Sequence, residues 1–330
     1  MDVKPYNQIV DNFKNKNIMV IGDIMLDSYL WGAANRISSE APVPIIEVGS
    51  SNRNPGGAGN VALNLVKLGC RATILSVVGN DANGEELELL LDSEGVDVGG
   101  LVKDPDRTTS IKTRVIAQSQ QVVRVDQEST EQLSKNILDE VKLKLNQLLP
   151  SHDAIIIADY DKGLLSKQLI NSVLKLSKQI SIPIYVDPKI DNFFMYKMTR
   201  LFKPNFSEFQ KAMGFSDLDK TEFVKQGKLL LKKLGAEILM VTLGADGVAL
   251  FMEDGHISIP TRAQKVHDVS GAGDTVISTF ALADICGAKP FEAASLANFA
   301  AGRVCEEVGV IPITIDILND IIFDEEEKFK

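Results

Sequence analysis

A glycine-rich segment late in the chain carries residue types that could catalyse group transfer. Residues 268–275 read DVSGAGDT and run into an apolar stretch over 276–285 that predicts a helix. Gly271 and Gly273 let the backbone approach a ligand, and the first N–H groups of a helix have no partner within it, so the segment predicts an anion site. Asp274 stands beside those amides and could accept a proton from a hydroxyl. The combination indicates transfer of a group from a phosphorylated donor to an alcohol. An ordinary helix start, in which the Asp274 carboxylate only complements the helix dipole, explains the spacing equally well.

A second glycine cluster lies far upstream, where residues 54–60 read NPGGAGN. It opens a helix predicted over about 61–68, which Gly69 ends. Gly57 permits close contact with a ligand, and the Asn60 side chain offers a donor and an acceptor. A ligand-binding loop and an ordinary loop with an asparagine N-cap both fit these residues.

Both clusters stand in a chain whose hydrophobic pattern alternates between strands and helices. Apolar runs predict strands over 16–23, 72–78, 154–158, 183–186, 201–203 and 238–242. Polar residues follow the strand ends, among them Asp23 and the segments 159–163 and 187–189. Because open α/β sheets bind ligands at the carboxyl ends of their strands, the pattern predicts an α/β fold with its site at that edge.

Two segments break this alternation. Residues 28–49 are extended and contain two prolines, and residues 107–126 have the pattern of a β-hairpin. We expect them to pair into one small sheet that projects from the α/β body as a lid. Residues 1–330 are interpreted as a single domain with this lid, and the acidic residues 324–330 as a solvated tail.

Composition excludes several classes of function. The 330 residues carry a formal net charge of -10 without a long run of Lys or Arg, so nucleic acid and anionic membranes are poor partners. The polar amino terminus and the lack of a long apolar run predict a cytoplasmic protein. The three histidines form no zinc-binding pattern. The only Gly-Lys pair, at 227–228, is followed by Leu229, which excludes a P-loop, and the first strand ends in GDIM instead of a dinucleotide fingerprint.

The two glycine clusters together resemble a known family. GGAGNVA at 56–62 and DVSGAGD at 268–274 are similar to the two ordered signatures of the ribokinase/PfkB family of carbohydrate kinases, and the similarity covers nearly the whole chain. The resemblance implies a ribokinase-like three-layer α/β/α fold with a mostly parallel central sheet and a small β-sheet lid. It also implies phosphorylation of a sugar hydroxyl by ATP.

Within this family, five segments resemble the heptose 7-phosphate kinase branch, namely 22–27, 36–44, 112–114, 159–163 and 268–276. That branch phosphorylates the anomeric hydroxyl of D-glycero-β-D-manno-heptose 7-phosphate on the route to ADP-heptose for lipopolysaccharide cores. Ser39 and Asp161 depart from the branch, which commonly has Pro and Gly or Ala there. Many relatives carry a carboxy-terminal nucleotidylyltransferase with a His-x-Gly-His motif. The sequence contains no such motif, so we expect a kinase-only protein.

The resemblance also implies roles for individual residues. Asp274 would be the general base, and the amides of Gly271, Ala272, Gly273 and Asp274 would form the anion hole. The residues implied for ATP are Thr242, Gly244, Gly247, Asn205 and Glu208. Glu208 would hold Mg²⁺ through water, although Asn205 and Glu208 are also spaced as a helix-capping pair. A requirement for a monovalent cation stays open.

The sugar phosphate would lie between the first glycine cluster and the lid. The residues implied for sugar hydroxyls are Asp27, Gly57 and Asn60, to which Asp23 is added. The cations available for the substrate phosphate are Lys112, Arg114, Arg124, Lys162 and Lys189. Arg114 is the leading candidate because arginine binds phosphate in a bidentate manner, although a solvated surface charge is the commoner role for each of the five taken alone.

Partners and alternatives follow from the same residues. We expect a homodimer formed through the β lid, with Trp31 as an interface anchor. A kinase for another sugar phosphate, such as fructose 6-phosphate, shares the same motifs. A non-catalytic sugar sensor is the alternative of a different class, and the intact Asp274 with both glycine loops argues against it.

Overall fold

The computed structural model describes residues 4–118, 120–261, 269–306, 309 and 311–328. The strands are β1 (Asn17–Gly22), β2 (Ile24–Ile37), β3 (Pro44–Gly57), β4 (Arg71–Gly79), β5 (Asp97–Asp104), β6 (Ile111–Ala117), β7 (Gln120–Gln127), β8 (Ala154–Ala158), β9 (Ile184–Asp187), β10 (Leu201–Phe202), β11 (Ile238–Thr242), β12 (Val248–Met252) and β13 (Gly255–Ile259). The helices are α1 (Lys4–Asp11), α2 (Ala58–Lys67), α3 (Ala82–Ser93), α4 (Lys135–Leu148), α5 (Lys167–Ile180), α6 (Phe206–Met213), α7 (Lys220–Leu234), α8 (Ala272–Ile285), α9 (Pro290–Val304) and α10 (Ile315–Lys328).

Nine strands form the central sheet, in the order β13-β12-β11-β10-β9-β8-β1-β4-β5. The seven strands from β11 to β5 pair in parallel, and β12 and β13 add an antiparallel edge. Crossover connections through helices allow such parallel pairing. The predicted mostly parallel sheet is confirmed.

Helices cover both faces of this sheet because its inner strands are apolar on both sides. In β1, Ile18 and Val20 pack into one core with α2, α8 and α9, whereas Met19 and Ile21 pack into a second core with α4, α5 and α7. Successive side chains of a strand point to opposite faces, so one buried strand contributes to both cores. The result is the predicted α/β/α arrangement.

The predicted small sheet is also present. Its four strands lie in the order β3-β2-β6-β7, so the two segments that break the alternation do pair with each other. β2 runs parallel to β6 and antiparallel to β3. β2 begins directly after Asp23, and β3 ends at Gly57, so both strands lead straight from the lid into the predicted ligand-binding loops.

Some elements differ from the sequence-based expectation. Strand β5 was not predicted, because two glycines and two acidic residues interrupt its apolar pattern. Helix α10 runs to Lys328, so the part of the predicted solvated tail that the structure describes is helical. Ile321 and Ile322 of that helix are buried, so its tertiary packing extends it into the acidic residues. Among the described residues, no helix is both long and apolar enough to cross a membrane.

Candidate active site

The carboxyl ends of five neighbouring parallel strands place polar residues side by side. In sheet order β11, β10, β9, β8 and β1, the residues at or directly after the strand ends are Thr242, Lys203, Asp187, Asp159-Tyr160 and Asp23. Parallel strands end at the same edge of a sheet, so residues far apart in sequence converge there.

A cleft of about 410 Å³ opens at this edge, between the strand ends and the start of α8. Its lining includes nine of the predicted site residues: Lys189, Asn205, Glu208, Thr242, Gly244, Gly271, Ala272, Gly273 and Asp274. It also includes three residues to which the sequence analysis gave no role: Tyr160, Asp187 and Lys203. A cleft of this volume suits a small polar ligand.

Asp274 lies in the first turn of α8 and is only 6% exposed. Its Oδ2 accepts a hydrogen bond of 2.7 Å from Asn60 Nδ2, and its Oδ1 accepts one of 2.6 Å from the Tyr160 hydroxyl. Burial raises the pKa of Asp274 to about 6, although the bonds from Tyr160 and Asn60 favour its ionised form. A carboxylate with this pKa is ionised at neutral pH and is still basic enough to take a proton.

The backbone before Asp274 has the conformation of an anion site. Gly271 is the N-cap of α8 with a φ of 80°, in the left-handed region that favours glycine. A helix N-terminus presents N–H groups without helical partners, together with the positive end of the helix dipole. Asp268, which belongs to the same signature, lies outside the described residues.

Lys203 brings a buried positive charge to this helix start. It is 2% exposed, and its Nζ lies 3.0 Å from Asp187 Oδ2. A Cβ atom built on Gly273 would lie 3.4 Å from the same Nζ, so the ammonium group lies directly beside the glycine backbone. A buried cation needs a partner, and Asp187 supplies it in this structure.

Lys189 connects Tyr160 with Glu208. Its Nζ is paired with Glu208 Oε1 and lies 5.5 Å from the centroid of the Tyr160 ring. Burial lowers the pKa of Lys189, but the negative charges of Asp187 and Glu208 outweigh this effect and raise it above its ordinary value. The lysine is therefore a permanent cation at this place.

The predicted nucleotide residues have structural partners as well as access to the cleft. Asn205 and Glu208 form a capping box at the start of α6, in which the side chain of each accepts a hydrogen bond from the other's backbone N–H. The helix-capping interpretation of their spacing is therefore confirmed. Thr242 forms a parallel bridge with Asn205, and both line the cleft with Gly244. Gly247 packs instead against the carbonyl of Ile259.

On the sugar side, the two predicted aspartates have different surroundings. Asp27 Oδ1 is 2.5 Å from Arg114 Nη1. The residue predicted to bind a sugar hydroxyl therefore forms an ion pair with the leading candidate for binding the substrate phosphate. Asp23 accepts hydrogen bonds from the backbone N–H groups of Tyr160, Lys162 and Leu164. Burial and the charge of Asp159 raise the pKa of Asp23 to about 6. Asp23 therefore holds the loop after β8.

Gly57 lies where the lid enters α2, with a φ of 62°. A Cβ atom there would lie 2.5 Å from the carbonyl oxygen of Asp23 and 3.5 Å from the Tyr160 ring. Only glycine allows this close approach of the first glycine cluster to the loop after β8. The cluster therefore lies close to the Tyr160 ring, and the neighbouring Ala58 N–H donates to the Asp23 carbonyl at 3.0 Å.

The other predicted cations lie in or beside the lid and form one ionic network. Lys112 and Lys162 lie 3.4 and 2.8 Å from Glu128, and Lys112 and Arg124 lie 3.2 and 2.9 Å from Asp126. Three cations thus share two carboxylates, which leaves one net positive charge. These residues do not line the cleft around Asp274.

Tyr160 and Asp187 belong to the polar segments 159–163 and 187–189, which were predicted to lie at the site's edge of the sheet, but no role was predicted for either of them. Lys203 was missed altogether. Each stands at or just after the end of a predicted strand. The sequence does not show that β8, β9 and β10 are neighbours, and this adjacency is what brings the three residues together.

Comparison with known proteins agrees with this geometry. Residues 15–316 match the pfkB family of carbohydrate kinases. A bifunctional protein HldE from Geobacter metallireducens is 41% identical over 335 residues, which cover 100% of this chain and 68% of that protein. Another HldE, from Helicobacter hepaticus, is 41% identical over 296 residues, 90% of this chain and 61% of that protein. The chain thus spans about two thirds of the length of these relatives.

Solved structures share the fold at low sequence identity. Phosphofructokinase-2 from Escherichia coli in complex with potassium superposes with a TM-score of 0.79 at 19% identity, over 94% of this chain and 99% of that chain. Arabidopsis thaliana ribokinase complexed with ribose and ATP gives a TM-score of 0.72 at 20% identity, over 93% and 98% of the two chains. On the family match and the HldE identities, this chain belongs to the pfkB family of carbohydrate kinases and is a phosphotransferase that acts on a sugar hydroxyl.

Proposed function

We propose that the protein uses ATP to phosphorylate the anomeric hydroxyl of D-glycero-β-D-manno-heptose 7-phosphate. One contact carries the proposal for the reaction: the 2.7 Å hydrogen bond from Asn60 to Asp274. It joins the first glycine cluster, where the sugar would bind, to the helix start where a phosphoryl group would bind. The buried carboxylate at this junction can meet the hydroxyl of one ligand and the phosphate of the other.

In this proposal, the sugar oxygen attacks the γ-phosphorus of ATP. A bond forms between these two atoms, the bond from the γ-phosphorus to its bridging oxygen breaks, and ADP leaves. Asp274 accepts the proton of the hydroxyl. Because the transition state is loose, positioning and neutralisation of charge contribute more than the strength of the base.

Two positive features would stabilise the transferred phosphoryl group. Gly271, Ala272, Gly273 and Asp274 line the cleft at the start of α8, where backbone N–H groups without helical partners could donate to the phosphoryl oxygens. The Ala272 N–H, which donates to the Val269 carbonyl at 3.3 Å, would have to exchange that partner. Lys203 stands beside this helix start, and it can exchange Asp187 for a phosphate oxygen over a short distance. We place the ATP phosphates along Thr242 and Gly244, next to this site.

The residues present fit a hydrated Mg²⁺ next to Glu208. A carboxylate has about four lone-pair sites, and two on Glu208 are used by Lys189 and the Asn205 N–H, so others can accept bonds from water. Mg²⁺ usually keeps several waters, which suits an outer-sphere contact with one carboxylate. When bound, the ion would neutralise charge on the ATP phosphates.

Glu208→Gln tests this metal assignment. The variant keeps the shape of the side chain but loses its charge, so we expect it to raise the magnesium concentration needed for half-maximal activity. Glu222→Gln is a matched control because Glu222 occupies the same position after its N-cap, Asp219, in α7, away from the cleft. If both variants titrate like the wild type, Glu208 serves only as a helix cap.

The heptose itself is proposed from the branch motifs and from the relatives named HldE. The lid offers the cations that a second phosphate requires. Cross-strand register places Asp27 opposite Lys112, Lys112 opposite Asp126, and Arg114 opposite Arg124. Residues directly opposite each other project from the same face of a sheet, so one face of the lid carries Arg114 and the ionic network. We propose that this face binds the distal phosphate.

The central experiment measures ADP release from purified protein with heptose 7-phosphate, fructose 6-phosphate or ribose. We expect activity on the heptose phosphate, and a fall in kcat of at least ~10²-fold in Asp274→Asn, which keeps the shape but loses the base. Activity confined to fructose 6-phosphate or ribose would refute the heptose. Activity on none of them would favour a non-catalytic sugar sensor. Near-normal turnover of Asp274→Asn would refute the assignment of Asp274 as the general base.

We also propose a homodimer through the lid, with a second copy of this chain as the partner. Val123 and Val125 of β7 are 47% and 56% exposed, and they alternate with Arg124, so they project from the other face of the lid. Val115 of β6 lies opposite Val123 on this apolar face. Trp31 stacks on Tyr29, with ring centroids 5.3 Å apart, and Arg114 lies over the Tyr29 ring. We therefore assign the interface to the valine face instead of Trp31.

A further inference from the structure

Tyr160 lies at the point where the parts of the proposed active site meet. Its hydroxyl donates to Asp274 Oδ1, its ring lies under Lys189, and the same ring is 3.5 Å from where a Cβ atom of Gly57 would be. It therefore bonds to the base and lies beside both the cation next to Glu208 and the first glycine cluster. No other described side chain has contacts of this kind with all three.

We propose that Tyr160 is a positioning residue for phosphoryl transfer, which orients the Asp274 carboxylate and stabilises its ionised form. The inference rests on the proposed function, because it requires Asp274 to be the base. It goes beyond that function by assigning part of the base's reactivity to a residue of another strand end.

The position of Tyr160 is fixed independently of Asp274. Its backbone N–H donates to Asp23 Oδ2 at 3.1 Å, and two further amides of the same loop donate to the Asp23 carboxylate. Asp23 follows β1 and Tyr160 follows β8, two adjacent parallel strands. The phenol is thus anchored to the central sheet, and it can hold the carboxylate of α8 at a set orientation.

The hydroxyl acts as a donor under all conditions relevant to activity. Burial and the negative charge of Asp274 raise the pKa of Tyr160 well above its usual value, so the phenol stays protonated. Since Asn60 engages Oδ2 and Tyr160 engages Oδ1, the carboxylate cannot rotate without losing both bonds. Its remaining lone pairs are left for the incoming sugar hydroxyl.

Other charges also act on Asp274 and would remain if the Tyr160 hydroxyl were removed. Asp187 disfavours its ionised form, and Lys203 favours it. The charge of Lys189 interacts with that of Asp274. The charge of Asp27 acts on the Tyr160 hydroxyl. A change confined to the Tyr160 hydroxyl therefore removes one favourable contact from an otherwise unchanged set.

The test compares the pH profile of kcat/KM in the wild type and in Tyr160→Phe, from pH 5 to 9 with the same substrates. The ionised base is needed, so activity should fall as the pH drops through the pKa of Asp274. Without the hydroxyl the carboxylate is a stronger base, and we expect the midpoint of this acid limb to rise by about 1 pH unit. The high-pH plateau should stay within ~5-fold of the wild type, which also shows that the variant is folded. Titration of the substrate phosphates is common to both enzymes and cancels in the comparison.

Tyr185→Phe is the matched control. The Tyr185 hydroxyl donates to Asp284 Oδ2 at 2.6 Å, so a buried tyrosine again bonds to a carboxylate of α8, but outside the cleft. This variant should leave the midpoint unchanged. The proposal is overturned if Tyr160→Phe keeps the wild-type midpoint, if it is inactive at every pH, or if Tyr185→Phe shifts the midpoint equally.

Asp274→Asn, measured in the same series, separates this inference from the proposed function. If Asp274→Asn is inactive and the midpoint of the pH profile is unchanged in Tyr160→Phe, Asp274 is supported as the base and the proposed role of Tyr160 is refuted. If Asp274→Asn keeps its turnover, the base assignment itself is wrong, and the role of Tyr160 falls with it.

Discussion

The edge of the central sheet and the lid both carry opposite charges in contact, but they hold them differently. At the sheet edge, Lys203 is 2% exposed and pairs with Asp187 of the neighbouring strand end. In the lid, Lys112 and Arg124 share carboxylates across two antiparallel strands, and the Arg124 side chain is 51% exposed. The Lys203–Asp187 pair is fixed by burial, whereas the Lys112 and Asp126 side chains of the lid are 17% and 24% exposed and Arg124 is accessible to water.

This difference separates the chemistry from the choice of substrate. Buried dipoles and charges that are already oriented need little reorganisation during a reaction, which suits the group that stabilises a transferred phosphoryl. An ion pair with an exposed partner, such as Arg124–Asp126, contributes only about 0–1 kcal/mol, so a substrate phosphate can displace that carboxylate at small cost. We infer that the sheet edge performs phosphoryl transfer and that the lid selects the sugar phosphate.

Removal of the buried cation should have the largest effect. In Lys203→Met the anion site loses its ammonium group and Asp187 is left without its partner, so we expect kcat to fall by roughly 10²-fold or more. Steady-state kinetics with saturating ATP and sugar phosphate measure this. The double variant Asp187→Asn/Lys203→Met removes the unpaired carboxylate as well, and it should recover the unfolding temperature but not kcat. A kcat of Lys203→Met within ~3-fold of the wild type would contradict a role in stabilising the transition state.

Replacement of the lid arginine should act on binding. A charge-assisted hydrogen bond is worth about 1.5–3 kcal/mol, so Arg114→Met should raise KM for the sugar phosphate by about 10- to 100-fold. Its kcat should change much less than that of Lys203→Met. The measurement is a KM and kcat comparison between these two variants.

A second substrate distinguishes two roles of Arg114. If it binds the distal phosphate, the rise in KM should disappear with the same heptose lacking that phosphate. If it only holds Asp27, to which it is paired at 2.5 Å, both substrates should suffer equally. Arg124→Met, on the same face of the lid but more exposed, is the control for general loss of positive charge.

Much of the fold could be predicted from local patterns. The strands β4, β8 and β11 lie where their apolar runs predict them, because short continuous apolar runs between turn residues are typical of buried strands. Strand β5 was missed because its buried pair, Leu101 and Val102, is too short an apolar run to be noticed, and its pairing with β4 is not a local property of the sequence. The spatial order of strands is a property of the whole chain that no local window contains.

The site was predictable to the extent that a motif carries it. Asp274 and Asn60 belong to glycine-rich signatures, and the contact between them supports the proposal that they act together. Tyr160 belongs to the segment 159–163, which resembles the heptose kinase branch, but only the structure shows that its hydroxyl meets Asp274. Lys203 lies at a strand end outside any motif, so only the sheet order reveals it. Asp161 shows a local reason for the glycine common at its position, because its φ of 53° lies in the left-handed region.

The smallest effect on turnover is expected at the valine face of the lid, which lies opposite the face that carries Arg114. The double variant Val123→Lys/Val125→Lys places two charges at positions where a second copy of the chain would bury two valines. Full burial of each valine would stabilise the dimer by about 1.5–3 kcal/mol. Sedimentation velocity should show the wild type as a dimer and the variant with a dissociation constant at least ~10-fold higher, at a kcat close to normal. Leu143→Lys, at a similarly exposed position of α4, should leave the dimer intact. A monomeric wild type, or equal weakening by Leu143→Lys, would rule out this face as the interface and leave the lid with substrate selection as its remaining role.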